Sequence, residues 1–167
     1  MACRLAGLSR SAWRRPLRVP QKRRRKRVGS STVDAPKAAA PGVVWAVDFQ
    51  FDVDERGKAI KICSIVDEHT RVCVGGLVER SITAERFIEH LEELVGERGA
   101  PMVLRSDNGP EFIARQLKKH LEESGVGVLY VEPGSPWQNG LIESFNGRLR
   151  DECLDREAFM DLREAIV

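Results

Sequence analysis

The stretch VVWAVDFQF, residues 43–51, decides the reading of this chain, because it combines the strongest strand signal with a residue that strands avoid. Aromatic and β-branched side chains fit a pleated, half-buried surface, so 43–51 is expected to be a strand. DERGK (54–58) then reads as a turn, and AIKICSIVD (59–67) and RVCVGGLVE (71–79) read as two more strands with a tight connection near Glu68–Thr70. Three consecutive short strands form an antiparallel meander. Asp48 sits in the middle of the first one. Burying an unpaired carboxylate costs several kcal/mol, so either Asp48 lies on a solvated face or it has work to do. Val44 and Ala46 share its face and favour the second reading.

Beyond the meander the period changes. After Ser81 and Thr83, both candidate caps, Phe87, Ile88, Leu91, Leu94 and Val95 fall on one helical face. Gly96 and Gly99 are expected to close that helix. MVL (102–104) is a short apolar strand leading into SDNGPEF. Pro110 suits a first helical position, and Ile113, Leu117 and Leu121 form one stripe before Gly125. GVGVLYV (125–131) is the fifth strand, and EPGSPWQNG (132–140) is a loop before a last helix from about Leu141. Strands that alternate with helices run parallel. The expected fold is therefore α/β: a five-stranded mixed sheet with helices on both faces.

Charge divides the chain. Residues 1–40 hold 12 Lys and Arg against Asp34 alone, a net of +11, whereas residues 41–167 hold 15 against 24 acids, a net of −9. The first 40 residues read as a basic, largely flexible arm carrying a remnant of a DNA-binding region. KRRRKR (Lys22, Arg23, Arg24, Arg25, Lys26, Arg27) is suited to a polyanion through counterion release. There is no apolar run long enough to span a membrane, and no secretory signal, so a cytoplasmic protein is expected. Cys3, Cys63, Cys73 and Cys153 form no C-x-x-C pair, which disfavours structural zinc. Cys63 and Cys73 are expected to be small buried residues on strands.

Two further acids have telling positions. Asp107 follows the strand at 102–104, where open α/β sheets collect ligands, although Asp-Asn-Gly is also an ordinary turn. Glu143 lies early in the last helix. There Leu141, Phe145, Leu149 and Cys153 are expected to pack on the sheet, and Asn139, Glu143, Gly147 and Arg150 to share the opposite side. Three convergent carboxylates without a Ser-His or Cys-His pair suggest hard cations shared with substrate phosphates.

WAVDFQFD, SDNGPEF and SPWQNGLIESFNGRLRDECL together resemble the catalytic core of integrase-type transposases from bacterial insertion sequences, similar to retroviral integrase cores. Asp107 lies 59 positions after Asp48, and 35 residues separate Asp107 from Glu143, the D,D-35-E pattern of that group. The resemblance implies a ribonuclease H-like fold. It also implies DNA transposition by metal-dependent 3′-end cleavage and strand transfer. Asp48, Asp107 and Glu143 would be the catalytic metal ligands for Mg²⁺ or Mn²⁺, two ions in all. Asn108 and Gly109 would shape the loop around Asp107. Gln138 and Asn139 would approach the DNA end, and Arg150 would touch phosphate. The implied partners are element ends, target DNA and further copies of the chain on DNA. Residues 41–167 would then be a catalytic core shortened at its C-terminal end. Two alternatives share these features: a ribonuclease H-like nuclease, and a non-catalytic remnant that binds DNA through its arm.

Overall fold

The structure, a computed structural model, describes residues 31, 36–132 and 135–166. The meander forms as expected: β1 (Val44–Val53), β2 (Ala59–Asp67) and β3 (Cys73–Glu79) are antiparallel neighbours. β4 (Val103–Ser106) and β5 (Gly127–Tyr130) run parallel to β1, giving the order β3-β2-β1-β4-β5. The strand interiors match the sequence pattern, and only the ends move by a residue or two.

Side chains alternate across the sheet with period two, so β1 feeds two different layers. Trp45, Val47 and Phe49 point into the larger core with α1 (Ala84–Arg98) and α2 (Arg115–Glu123). There Phe49 stacks on Phe112 at 4.7 Å, and Phe87 meets Phe112 edge-on at 5.5 Å. Ala46, with Val66 of β2, faces the other way and packs on Ile142 of α3 (Gly140–Leu149). Helices therefore cover both faces. Among the described residues no helix is long and apolar enough to cross a membrane.

Local chemistry fixes the connections. Asp54 accepts from the backbone N–H groups of Arg56 (3.0 Å) and Lys58 (2.9 Å) and pairs with Arg80. Asp67 does the same at the β2–β3 turn, accepting from the N–H groups of His69 (3.0 Å), Thr70 (2.8 Å) and Gly42 (2.6 Å). α1 begins with Thr83 as its N-cap, whose hydroxyl accepts from Arg86 N–H. It ends at Gly99, whose φ of 84° is open to glycine.

Four expectations need correction. Gly96 lies inside α1 rather than closing it. Pro110 does not open a helix. Residues 110–113 instead form a turn in which Phe112 and Ile113 N–H both donate to Gly109 O, because Phe112 is drawn into the core and Glu111 toward Lys61. Cys63 is buried, but Cys73, at the start of β3, is exposed. The buried centre of α3 is Ile142 and Asn146, with Leu141 and Phe145 as partly buried flanks. Apolar periodicity alone misplaces that centre, because a polar residue occupies it.

Candidate active site

Asp48 lies on the α3 side of β1, opposite Ser64 of β2. Its Oδ1 accepts from Phe49 N–H at 2.9 Å, and its Oδ2 accepts from the Asn146 side-chain amide at 2.9 Å. Burial raises its proton affinity; the Phe49 N–H opposes this, Asp107 adds to it, Asn146 opposes it and Glu143 adds to it, and the net shift is upward. Asp48 thus stands in the field of two other carboxylates, and among the described residues no cationic side chain pairs with it.

Asp107 follows β4 and is exposed. Its Oδ1 accepts from Gly109 N–H at 2.8 Å, closing a tight turn. A Cβ on Gly109 would lie 2.9 Å from that same oxygen and 3.4 Å from the Phe112 ring, so the turn requires glycine. Asn108 donates to Val131 O at 2.8 Å and ties the loop to the end of β5. The far side of the loop is held by Glu111, which pairs with buried Lys61 of β2 at 2.5 Å.

Glu143 occupies the first turn of α3 and is exposed. The short 3₁₀ turn Pro136–Asn139 sets where α3 begins. Arg105 of β4 anchors that turn by donating to Gln138 O at 3.2 Å while pairing with Glu68 at 2.7 Å. The Gln138 side chain accepts from Glu132 N–H at 3.0 Å. Asn139 is buried, contrary to its expected place on an open polar face. Trp137 beside it is 74% exposed, the most exposed large apolar side chain among the described residues. Arg150 follows α3 and donates to Phe51 O at 2.9 Å, with Asp155 at 3.5 Å. The cationic run Lys22–Arg27 lies outside the described residues.

One end of the sheet therefore gathers the three acids from β1, the β4 exit and the start of α3. Among the described residues no three Asp, Glu, His or Cys side chains stand close enough to hold a metal ion as they are. The donor set nevertheless suits a hard cation, being three carboxylates. Buried polar atoms without partners also collect here: Gln50 Nε2, Arg105 Nε, Asn108 Oδ1, Asn139 Oδ1 and Asn146 Oδ1. Each such orphan costs about 1–3 kcal/mol, and three of the five are oxygens seeking a donor or a cation. Three residues that serve this region, Asn146, Lys61 and Arg105, were not singled out by sequence. Asn146 had a usable signal, since it lies one turn after Glu143; Lys61 and Arg105 had none beyond being cations within strands.

The integrase core domain profile matches residues 38–136, and a second integrase core domain profile matches residues 124–167. The chain is 36% identical over 149 residues to the uncharacterized 39.2 kDa protein of insertion element IS476 from Xanthomonas euvesicatoria, covering 89% of this chain and 43% of that protein. It is 37% identical to the uncharacterized 31.7 kDa protein of insertion element IS407 from Burkholderia multivorans, covering 86% and 53%. The chain thus spans about half the length of these curated relatives. Among solved structures, the HTLV-2 integrase catalytic core domain in complex with magnesium (trimeric form) superposes with a TM-score of 0.61 at 18% identity, covering 78% of this chain and 83% of that one. A chain of the simian T-cell lymphotropic virus intasome in complex with PP2A regulatory subunit B56 gamma gives 0.61 at 20% identity, covering 66% and 39%. At such identities the likeness establishes the fold, which is ribonuclease H-like.

Proposed function

This chain belongs to the integrase core domain family, and we propose that it is the DNA-cutting and DNA-joining core of an insertion-element transposase, acting in the bacterial cytoplasm. Residues 41–167 supply the core and residues 1–40 a basic arm. The observation that carries the reading is that Asp48 is pushed toward protonation by burial and by both Asp107 and Glu143, with only amide donors to relieve it. A part-buried carboxylate facing two others is matched to divalent cations, Mg²⁺ or Mn²⁺, held by Asp48, Asp107 and Glu143. Two bound ions would supply polarisation of the phosphodiester and neutralise charge on the attacking and leaving oxygens.

The residues of the chain do the rest. Asn146 orients the Asp48 carboxylate, Gly109 lets the Asp107 turn close, and Asn108 fixes that turn to β5. Gln138 and Asn139 border the DNA end, and Arg150 offers its remaining donors to phosphate. Lys22–Arg27 hold the DNA backbone through counterion release. In the first reaction a water oxygen bonds to phosphorus, and the 3′ oxygen leaves and takes up a proton. In the second, that 3′-hydroxyl loses its proton as it bonds to a target phosphorus and displaces the target's own 3′ oxygen. Copies of the chain assemble on paired ends. Asp48→Asn, Asp107→Asn and Glu143→Gln should each abolish Mg²⁺-dependent strand transfer while preserving the fold by circular dichroism. Wild-type levels of transfer in any folded variant would overturn the assignment.

A further inference from the structure

The flank of α3 turned away from Asp48 carries a second feature. A pocket of about 310 Å³ opens between α3 and the β2–β3 turn, lined by Val66, Arg71, Leu141, Ser144 and Arg148 among others. Arg71 and Arg148 are exposed, and among the described residues neither guanidinium has an ion pair or hydrogen bond. Arg150, by contrast, spends donors on Phe51 O and Asp155. Arg71 also holds a φ of 62°, the left-handed region in which glycine would be less costly. That conformation closes the β2–β3 turn, in which Arg71 N–H donates to Asp67 O at 2.8 Å.

At 100° per residue, Glu143 stands on one flank of α3, and Leu141 and Arg148 stand on the other. The crest between them is Gly140, Ser144 and Gly147, and a Cβ on either glycine would meet nothing within 4 Å. A nucleic-acid backbone can therefore lie low across the crest. Guanidinium groups are suited to bidentate phosphate contacts. We infer that Arg71 and Arg148, with the Ser144 hydroxyl, form a phosphate subsite for the DNA strand that crosses α3, a few nucleotides from the position at Glu143. The inference rests on the DNA-processing role proposed above and adds to it where the strand goes.

The test uses the full chain and a fluorescein-labelled DNA duplex, with EDTA present so that binding is read without cleavage. Anisotropy is measured across about 50–200 mM KCl, where the slope of log K against log[salt] is about −0.9 per phosphate contact. Arg71→Gln/Arg148→Gln should make the slope shallower by about 2. Arg71→Lys/Arg148→Lys should keep the wild-type slope, because charge is retained. Lys118→Gln/Lys119→Gln, on α2 across the sheet, removes the same charge and should leave the slope unchanged. A Gln pair with the wild-type slope, or a control pair with the same loss, overturns the subsite. Neither result touches the transposase reading, which stands or falls on strand transfer by the Asp48, Asp107 and Glu143 variants.

Discussion

Lys61 and Glu111 give a quantitative handle on how the Asp107 loop is held. The ammonium lies 2.5 Å from Glu111 Oε1, 3.3 Å from Ile82 O and 4.0 Å from the centre of the Phe49 ring. The two partners are unequally buried: the Lys61 side chain is 8% exposed and the Glu111 side chain 25%. Stranding one member of a buried pair costs about 3–5 kcal/mol, and the cost is borne by whichever charge is left behind. Glu111→Ala strands the deeper charge and should destabilise by about 3 kcal/mol, the low end because a carbonyl and a ring remain. Lys61→Met strands the shallower one, which water can reach, and should cost about 1–2 kcal/mol. The double variant should resemble Lys61→Met alone, a coupling of about 3 kcal/mol. Burial alone would raise the Glu111 carboxyl, but the Lys61 hydrogen bond, a hydrogen bond from its own backbone N–H and the Lys61 charge together outweigh it and hold the group below its ordinary range. An acid depressed in the folded state stabilises above its unfolded pKa of about 4.3 and loses that contribution as pH falls. Urea unfolding at pH 7 and below pH 4 should therefore show the gap between wild type and Glu111→Ala narrowing in acid. Additive single costs, or Lys61→Met costing more than Glu111→Ala, would refute this reasoning.

Asn146→Ala should lower strand transfer by about tenfold to a hundredfold, the worth of one hydrogen bond to a charged group. Its unfolding free energy should move by less than about 1 kcal/mol, because the same substitution removes the orphaned Asn146 Oδ1; single-turnover kinetics beside urea melts separate the two. Gly75→Ala would set a Cβ 2.3 Å from Leu94 Cδ1 in the core under α1. Thermal unfolding should report a loss of about 1–3 kcal/mol from overpacking.

Much of the fold is legible because period and punctuation agree in the sequence. VVWAVDFQF declares a strand, Thr83 and Gly99 bracket α1, and the switch from meander to alternation sets the parallel pairing of β1, β4 and β5. The misreadings share a cause. Pro110 is a good helix opener locally, yet Phe112 gains more by filling the core, so the turn wins and α2 starts five residues later. The register of α3 is set by an amide reaching Asp48, a contact across 98 positions that no apolar stripe can announce. Among the three acids, Asp48 stands out as a candidate by violating its strand setting and Asp107 by its place at a strand exit, whereas Glu143 stands out only in company with Asn139, Gly147 and Arg150. The residues that hold them in place, Lys61, Arg105 and Asn146, look like ordinary surface polars until the chain is folded around them.

The most direct test of the shared-cation account is thermal unfolding of the full chain titrated with Mn²⁺, for wild type and Asp48→Asn. A cation that binds only the folded state raises stability by RT ln(1 + [L]/Kd). Wild type should gain stability as Mn²⁺ rises. Asp48→Asn, already free of the repulsion from Asp107 and Glu143, should start at least as stable and gain little. An equal Mn²⁺-dependent gain in both proteins would contradict the account.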